Sequence, residues 1–281
     1  MPFWQRVLGL RPPGPVTVIA RHAVVTRVAH WLNAALLLVL LMSGLQIFNA
    51  HPALYLGEGS DFAHPVLAMT AEEAPDGSLK GYTSVGRHRF ETTGVLGASD
   101  VDGVPAARGF PAWATLPGPQ WLAMGRLWHF AAAWLFVLNG FLFAVWAVWR
   151  GHLRADLLPT LADLKTLPHT FLDHLRLRFP HGDAARRYNG LQKLAYLIVI
   201  GGLGPLALLT GLTMSPTMDA ALPQLLWLFG GRQTARTIHF LCAFSFVGFF
   251  LIHIAMVVLS GAWNNLRSMI TGRYVIEDHH D

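Results

Sequence analysis

The chain has 281 residues, 53% of them hydrophobic and only 13% charged, with a formal net charge of +5. That composition excludes an ordinary soluble globular protein, in which about a quarter of residues are charged. A single cysteine, Cys242, excludes disulfide frameworks, CxxC redox pairs, cysteine-held iron–sulfur clusters and CxxCH haem attachment within this chain.

A hydrocarbon core of about 30 Å is crossed by roughly 20 apolar residues in a helix. Four windows meet this requirement, at about 28–48, 122–149, 191–214 and 236–260. Residues 1–27, before the first, carry Arg6, Arg11, Arg21 and Arg27 and no acid. They lack a separate apolar core of about 7–15 residues, so no cleavable signal peptide is expected and the first span serves as the anchor. Residues 49–121 follow as a long connection rich in Gly, Pro, Asp, Ser and Thr, with alternating stretches such as HRFETTGV that suggest a hairpin. A connection of this length is seldom idle; docking of another protein and a structural lid both remain open. After the second span, residues 150–190 place Leu157, Leu161 and Leu164, then Phe171, Leu172 and Leu175, at helical spacing among charges. The pattern predicts short amphipathic helices on the membrane surface. No internal repeat is evident. The expected architecture is all-α: one membrane domain over residues 1–281, a four-helix bundle with a long outer loop and interfacial helices.

Charge placement tests this division, because an ionised side chain at mid-bilayer costs at least about 2.5 kcal/mol. Every Asp and Glu lies outside the four windows, and the few basic residues within them lie at their ends. The 150–190 connection carries Arg150, Arg154, Lys165, Arg176, Arg178, Arg186 and Arg187, whereas 49–121 holds four basic residues against eight acidic ones. The positive-inside bias then puts both termini and 150–190 in the cytoplasm, with 49–121 and 215–235 outside a bacterial inner membrane. The basic excess forms no stripe, so it reads as topology and lipid contact, not as a nucleic-acid surface.

The fourth span holds His239 and His253. Fourteen residues at about 1.5 Å each separate them by about 21 Å along a helix, with directions about 40° apart, so they share one face at two depths. His30 lies at the cytoplasmic start of the first span and His129 at the outer start of the second. Depth sorts the four into an outer pair, His129 with His239, and an inner pair, His30 with His253. A zinc site normally takes three or four protein ligands; two axial imidazoles are what haem requires. Arg27, Arg126 and Arg236 each stand three residues before one of these histidines, on the aqueous side, where a cation meets a haem propionate. Arg126 and Arg236 lie outside, against the orientation bias, and so point to propionates more strongly than Arg27, which equally suits a snorkelling arginine. Two axial histidines fill both open iron positions, which points to electron transfer and not to oxygen chemistry.

The stretches TRVAHWLNA, RLWHF, YNGLQKLAY and RTIHFLCAFSFVGFFLIHIAM resemble the prokaryotic cytochrome b561-like subunits of nickel-iron hydrogenases, formate dehydrogenases and thiosulfate reductases. The resemblance spans nearly the whole chain except 49–121. It implies two haem b groups, the last helix giving one ligand to each, and quinone exchange near the inner haem. It also implies Asn189, Gln192 and Lys193 as quinone contacts or proton donors, although Leu191 follows Gly190 where the formate dehydrogenase type carries a further Gly. The expected function is a b-type electron-transfer subunit of a membrane oxidoreductase complex in a respiratory chain. It would link the quinone pool to an outer molybdopterin, nickel-iron or iron-sulfur protein. Electrons moving inward need a low-potential donor; a high-potential partner would draw them outward from quinol. Two other readings stay open: a self-contained superoxide:quinone oxidoreductase, with Arg126 and Arg236 lining its entry, and a haem-free anchor or proton-relay transporter.

Overall fold

In the computed structural model, residues 16–153, 157–176 and 189–277 are described. Arg6, Arg11, Arg154, Arg178, Arg186, Arg187 and Tyr188 lie outside the described residues.

Among the described residues four helices are long and apolar enough to cross a membrane: α1 (Val24–Phe48), α2 (Leu122–Trp149), the helical run Gly190–Thr213, and Arg232–Leu259. Their bounds follow the hydropathy windows to within about one turn because nothing polar enough to stop a helix occurs inside them. The third run is not uniform. It begins as an α-helix (Gly190–Tyr196), widens into π-helix over Leu197–Leu203, and resumes as α-helix over Gly204–Thr213. Two adjacent glycines, Gly201 and Gly202, lie in the widened part, and π turns of this kind mark functional segments often enough to note.

The chain divides into two compact units. One comprises Met1–Trp31, Asn139–Pro205 and Phe244–Asp281; the other comprises Leu32–Leu138 and Leu206–Ala243.

In the first unit, β1 (Val16–Ala20) pairs antiparallel with the C-terminal strand Arg273–Glu277, from Val16 opposite Glu277 to Ala20 opposite Arg273. The segments before the first span and after the last therefore lie on the same side, as an even number of spans requires. A short helix, Ala262–Thr271, leads into that strand, with Trp263, Leu266 and Ile270 exposed at helical spacing. The carbonyls at its end are met by α1: Trp31 Nε1 donates to Met269 O at 3.0 Å, and Arg27 donates to Ile270 O. Cations and donors at a helix C-terminus satisfy the carbonyls that have no partner within the helix. The connection after α2 forms the amphipathic helix Leu161–Leu175, where Leu161, Leu164, Phe171 and Leu172 are exposed.

The second unit corrects the all-α expectation. Residues 49–121 fold into β-structure: β2 (Ala53–Leu54), β3 (Leu67–Glu73), β4 (Leu79–Val85) and β5 (His88–Glu91) make an antiparallel sheet in that order, and β6 (Gly97–Val101) pairs with β7 (Val104–Arg108). The predicted HRFETTGV hairpin strand is β5, joined to β4 through Gly86 and Arg87. The turn Asp102–Gly103 has both residues at positive φ, 55° and 84°, the conformation a two-residue hairpin favours. Gly81 and Gly97 let the two sheets touch backbone to backbone, since a Cβ at either would collide with the facing main chain. The core of this module is Leu54, Met69 and Phe110 packed with Leu45 and Phe48 from the end of α1, and Phe240 rests against it. Asn49 and Arg108 bind the module from within. Asn49 exchanges two hydrogen bonds with the backbone of Phe110, and Arg108, 3% exposed, donates to Phe110 O, Thr115 Oγ1 and Gly118 O. Burial lowers the Arg108 pKa, and its three acceptors are neutral oxygens.

Candidate functional site

His129 and His239 are brought together with ring centroids 6.1 Å apart and planes at 68°. His129 sits in the second turn of α2 and His239 in the second turn of Arg232–Leu259. Each imidazole is held at Nδ1 by a neighbouring helix. His129 Nδ1 lies 3.1 Å from Leu40 O and 3.1 Å from Ser43 Oγ on α1. His239 Nδ1 lies 2.9 Å from Ala207 O and 3.2 Å from Thr210 Oγ1 on Gly204–Thr213. A carbonyl oxygen only accepts, so Nδ1 carries the proton in both rings and Nε2 is left with its lone pair, the form in which imidazole binds a metal.

His30 and His253 are likewise brought together, with centroids 6.2 Å apart and planes at 54°. Their surroundings differ from those of the first pair. His253 stacks on Phe249 at 5.7 Å, and His30 has an edge contact with Trp31 at 5.2 Å. His30 Nδ1 is buried without a hydrogen-bond partner.

These separations test whether haem suits the residues. Two imidazoles bonded to one iron at about 2 Å each, with about 1.1 Å from nitrogen to ring centre, put their centroids roughly 6.2 Å apart. Both pairs match this separation. Two glycines let the neighbouring helices close on the first pair: a Cβ on Gly44 would stand 3.3 Å from His129 Cε1, and one on Gly211 would stand 3.3 Å from His239 Cε1. Among the described residues no cluster of three or more His, Cys, Asp and Glu forms, so each pair offers two nitrogens and no third protein ligand. The donor set fits haem.

The three arginines separate. Arg236 does not end at an open anion site: it donates to Ala53 O at 2.9 Å and His51 O at 2.6 Å and lies over the Phe48 ring at 5.4 Å. It latches the start of the module to the last span. Arg126 is exposed, its guanidinium 5.6 Å from the Phe130 ring. Arg27 donates to Ile270 O but keeps a buried Nε without a partner, one turn from the partnerless His30 Nδ1. Arg27 keeps one buried donor and Arg126 an exposed guanidinium that a propionate could use, whereas Arg236 is engaged.

The latch at Arg236 belongs to a longer seam. Gly57 O accepts from Gln233 N at 3.0 Å and Thr234 N at 3.2 Å, Gly57 N donates to Thr234 Oγ1 at 2.7 Å, and Thr237 Oγ1 donates to Tyr55 O at 2.7 Å. Gly231, at φ +105°, lets this chain approach, since a Cβ there would collide with the Gly57 carbonyl. Beside the seam His51 stacks on Tyr55 at 5.6 Å and shares a 3.1 Å hydrogen bond with its hydroxyl. Burial, with the Arg236 charge second, lowers the His51 pKa.

Asn189 and Gln192 form a reciprocal cap at the start of Gly190–Tyr196. Asn189 Oδ1 accepts from Gln192 N at 2.9 Å and Gln192 Oε1 accepts from Asn189 N at 3.1 Å, which satisfies two donors the helix leaves over. Lys193 Nζ is paired with Asp163 Oδ2 at 2.9 Å. This ammonium and the Thr160 hydrogen bonds hold the Asp163 pKa down at about 2. In the same unit, burial and then the Arg21 charge push His22 down to about 4.

Sequence reasoning missed Ser43, Gly44, Thr210 and Gly211. The signal was the tripeptide Ser-Gly-Leu at 43–45 and its counterpart Thr-Gly-Leu at 210–212, too short to stand out without the geometry.

The family model described as prokaryotic cytochrome b561 matches residues 104–272, a range that holds His129, His239 and His253 but neither His30 nor most of the module. A curated relative from Azospira oryzae, named putative protein-methionine-sulfoxide reductase subunit YedZ1, is 34% identical over 149 residues, covering 53% of this chain and 71% of that protein. No solved structure matches the chain.

Proposed function

The chain belongs to the prokaryotic cytochrome b561 family of membrane haem-b proteins, and from that premise we propose that it is a dihaem electron-transfer subunit of a bacterial inner-membrane complex. His129 and His239 would hold one haem b and His30 and His253 the other. Haem b supplies reversible one-electron iron chemistry, and a bis-histidine site leaves no iron position for oxygen. The observation that carries this reading is the pair of imidazole separations, 6.1 and 6.2 Å, each the width of a ligated iron.

The remaining roles follow from the chain's own groups. Leu40 O, Ala207 O and the two hydroxyls fix the tautomer of His129 and His239, presenting Nε2. Arg27 Nε would meet a propionate at the His30 end. Lys193 Nζ, paired with Asp163 Oδ2, would carry a proton to a quinone oxygen. Asn189 Nδ2 and Gln192 Nε2 are the donors the helix cap does not use, so quinone contact through them remains part of the proposal. The 49–121 module, latched to the last span one turn from His239, would receive an extracytoplasmic partner at the outer site. The relative's name is that of a reductase subunit, which supports a reductase as partner: a molybdopterin, nickel-iron or iron-sulfur protein. Electrons would then run outward from quinol, a direction favoured by an inside-negative potential at up to about 2.3 kcal/mol per charge per 100 mV.

Two rival readings lose support. A self-contained superoxide:quinone oxidoreductase needs cations open to solvent at the outer site, and Arg236 is engaged with backbone carbonyls. A proton relay needs imidazoles that exchange protons at both nitrogens, and Nδ1 of His129 and of His239 is fixed on a carbonyl.

The test is haem content and the reduced-minus-oxidised spectrum of the purified protein. We expect two haem b per chain, with His30→Ala and His129→Ala each removing a different spectral component. A correctly assembled, colourless protein refutes the reading.

A further inference from the structure

The half of the molecule around His129 and His239 is built twice from one local design. On α1, Ser43 Oγ donates to Val39 O at 2.6 Å, which leaves its lone pairs facing His129 Nδ1. On Gly204–Thr213, Thr210 Oγ1 donates to Leu206 O at 2.7 Å and offers the same lone pairs to His239 Nδ1. In both helices the carbonyl shared with the imidazole stands three residues before the hydroxyl, at Leu40 and Ala207, and a glycine follows the hydroxyl, at Gly44 and Gly211. The next span in each case brings a small residue, then Arg-x-x-His-Phe: Gly125 to Phe130, and Ala235 to Phe240. Gly125 is buried, as is Ala235 at 0% exposure. Ser43 and Thr210 are themselves fully buried at 0%, so neither hydroxyl is replaced by water.

We propose that Ser43 and Thr210 are paired positioning residues for the outer haem ligands, each with its glycine forming a cradle that orients one imidazole and makes it more electron-rich. This rests on the reading that His129 and His239 ligate haem. The chemistry is general: a hydrogen bond accepted from Nδ1–H pushes electron density toward Nε2 and raises ligand basicity. A more basic axial ligand favours the oxidised metal and lowers its reduction potential. The glycines act sterically, because a methyl group 3.3 Å from Cε1 must push the ring from its place. His30 has no such acceptor at Nδ1, so the effect belongs to one haem only.

The experiment is a redox titration of the purified full chain with haem quantitation and low-temperature electron paramagnetic resonance. The variants are Ser43→Ala, Ser43→Thr, Thr210→Val, Thr210→Ser and Gly44→Ala. Ser43→Ala and Thr210→Val are expected to raise the midpoint of one component, the one lost in His129→Ala, and to move its low-spin g values, with the other component unmoved. Ser43→Thr and Thr210→Ser keep the hydroxyl and restore both values. Gly44→Ala is expected to reduce occupancy of the same component by at least twofold. If wild type holds two haems and the hydroxyl-free variants leave both midpoints and g values unchanged, or move both components equally, the proposal fails while haem ligation stands. If wild type holds no haem, the ligation reading fails first and the proposal falls with it.

Discussion

Asn49→Ala probes how the 49–121 module is fastened. Asn49 follows α1 directly and is 7% exposed; its Nδ2 donates to Phe110 O at 3.1 Å and its Oδ1 accepts from Phe110 N at 2.7 Å. Alanine removes the acceptor of Phe110 N and one of the donors to Phe110 O, which keeps its hydrogen bond from Arg108 Nε. Two buried hydrogen bonds are worth about 1–3 kcal/mol together, so the variant should lose about that much. At about 2–4 °C per kcal/mol, the melting midpoint in detergent should fall by roughly 2–12 °C. Phe110 packs against Phe48 and Phe240 at 5.7 and 6.4 Å, and Phe240 adjoins His239. The loosening should therefore disturb the haem component assigned to His129 and His239 and expose the module to limited proteolysis. A midpoint within about 1 °C of wild type, with unchanged protease resistance, would refute the reasoning.

Arg236→Lys retains the charge but not the two-pronged hold on Ala53 O and His51 O, so module protease resistance should drop as it does for Arg236→Met; if lysine leaves it intact, the latch is not what Arg236 supplies. For Asp163 the folded pKa, about 2, lies below the ordinary 3.8, so its pairing stabilises fully above about pH 4 and is lost as pH falls toward about 2, worth about 1 kcal/mol after solvent screening. Asp163→Asn should flatten the acid limb of a thermal melt series from about pH 5 to about pH 2.5, and an unchanged limb would dismiss the pair as a stabiliser. Gln192→Glu keeps an acceptor for Asn189 N–H and removes the amide donor, so it should slow quinone turnover without lowering the melting midpoint, whereas Gln192→Ala should also cost about 0.5–2 kcal/mol. Wild-type turnover in both variants would take Gln192 out of the quinone site.

The four spans were legible because apolar length is a one-dimensional property, and the histidine pairs were legible because depth in a helix follows directly from residue count. His30 meets His253 and His129 meets His239 as those counts required. Of the β-structure only the HRFETTGV hairpin was read; Asp102–Gly103 between Val101 and Val104 is also a hairpin signal, but its flanking strands are short and half exposed. The contacts of Arg236 were not legible for a deeper reason: its acceptors are main-chain oxygens more than 180 residues earlier, and no local pattern encodes so distant a carbonyl. Asn189 and Gln192 fit the Asn-x-x-Gln cap signature, but the same four residues fit the family's quinone stretch, and sequence alone weighs neither.

The seam between Gly57 and the start of Arg232–Leu259 has a consequence for biogenesis. The leading amides of that helix find their acceptor in a carbonyl synthesised about 175 residues earlier, on a module whose chain leaves the ribosome long before the last span does. The order of synthesis therefore favours a β-module that closes first and offers its carbonyl as a template on which the final helix settles, with His239 beside His129. Under the proposed assignment haem would enter that level last, after the folding of a segment that carries none of its ligands.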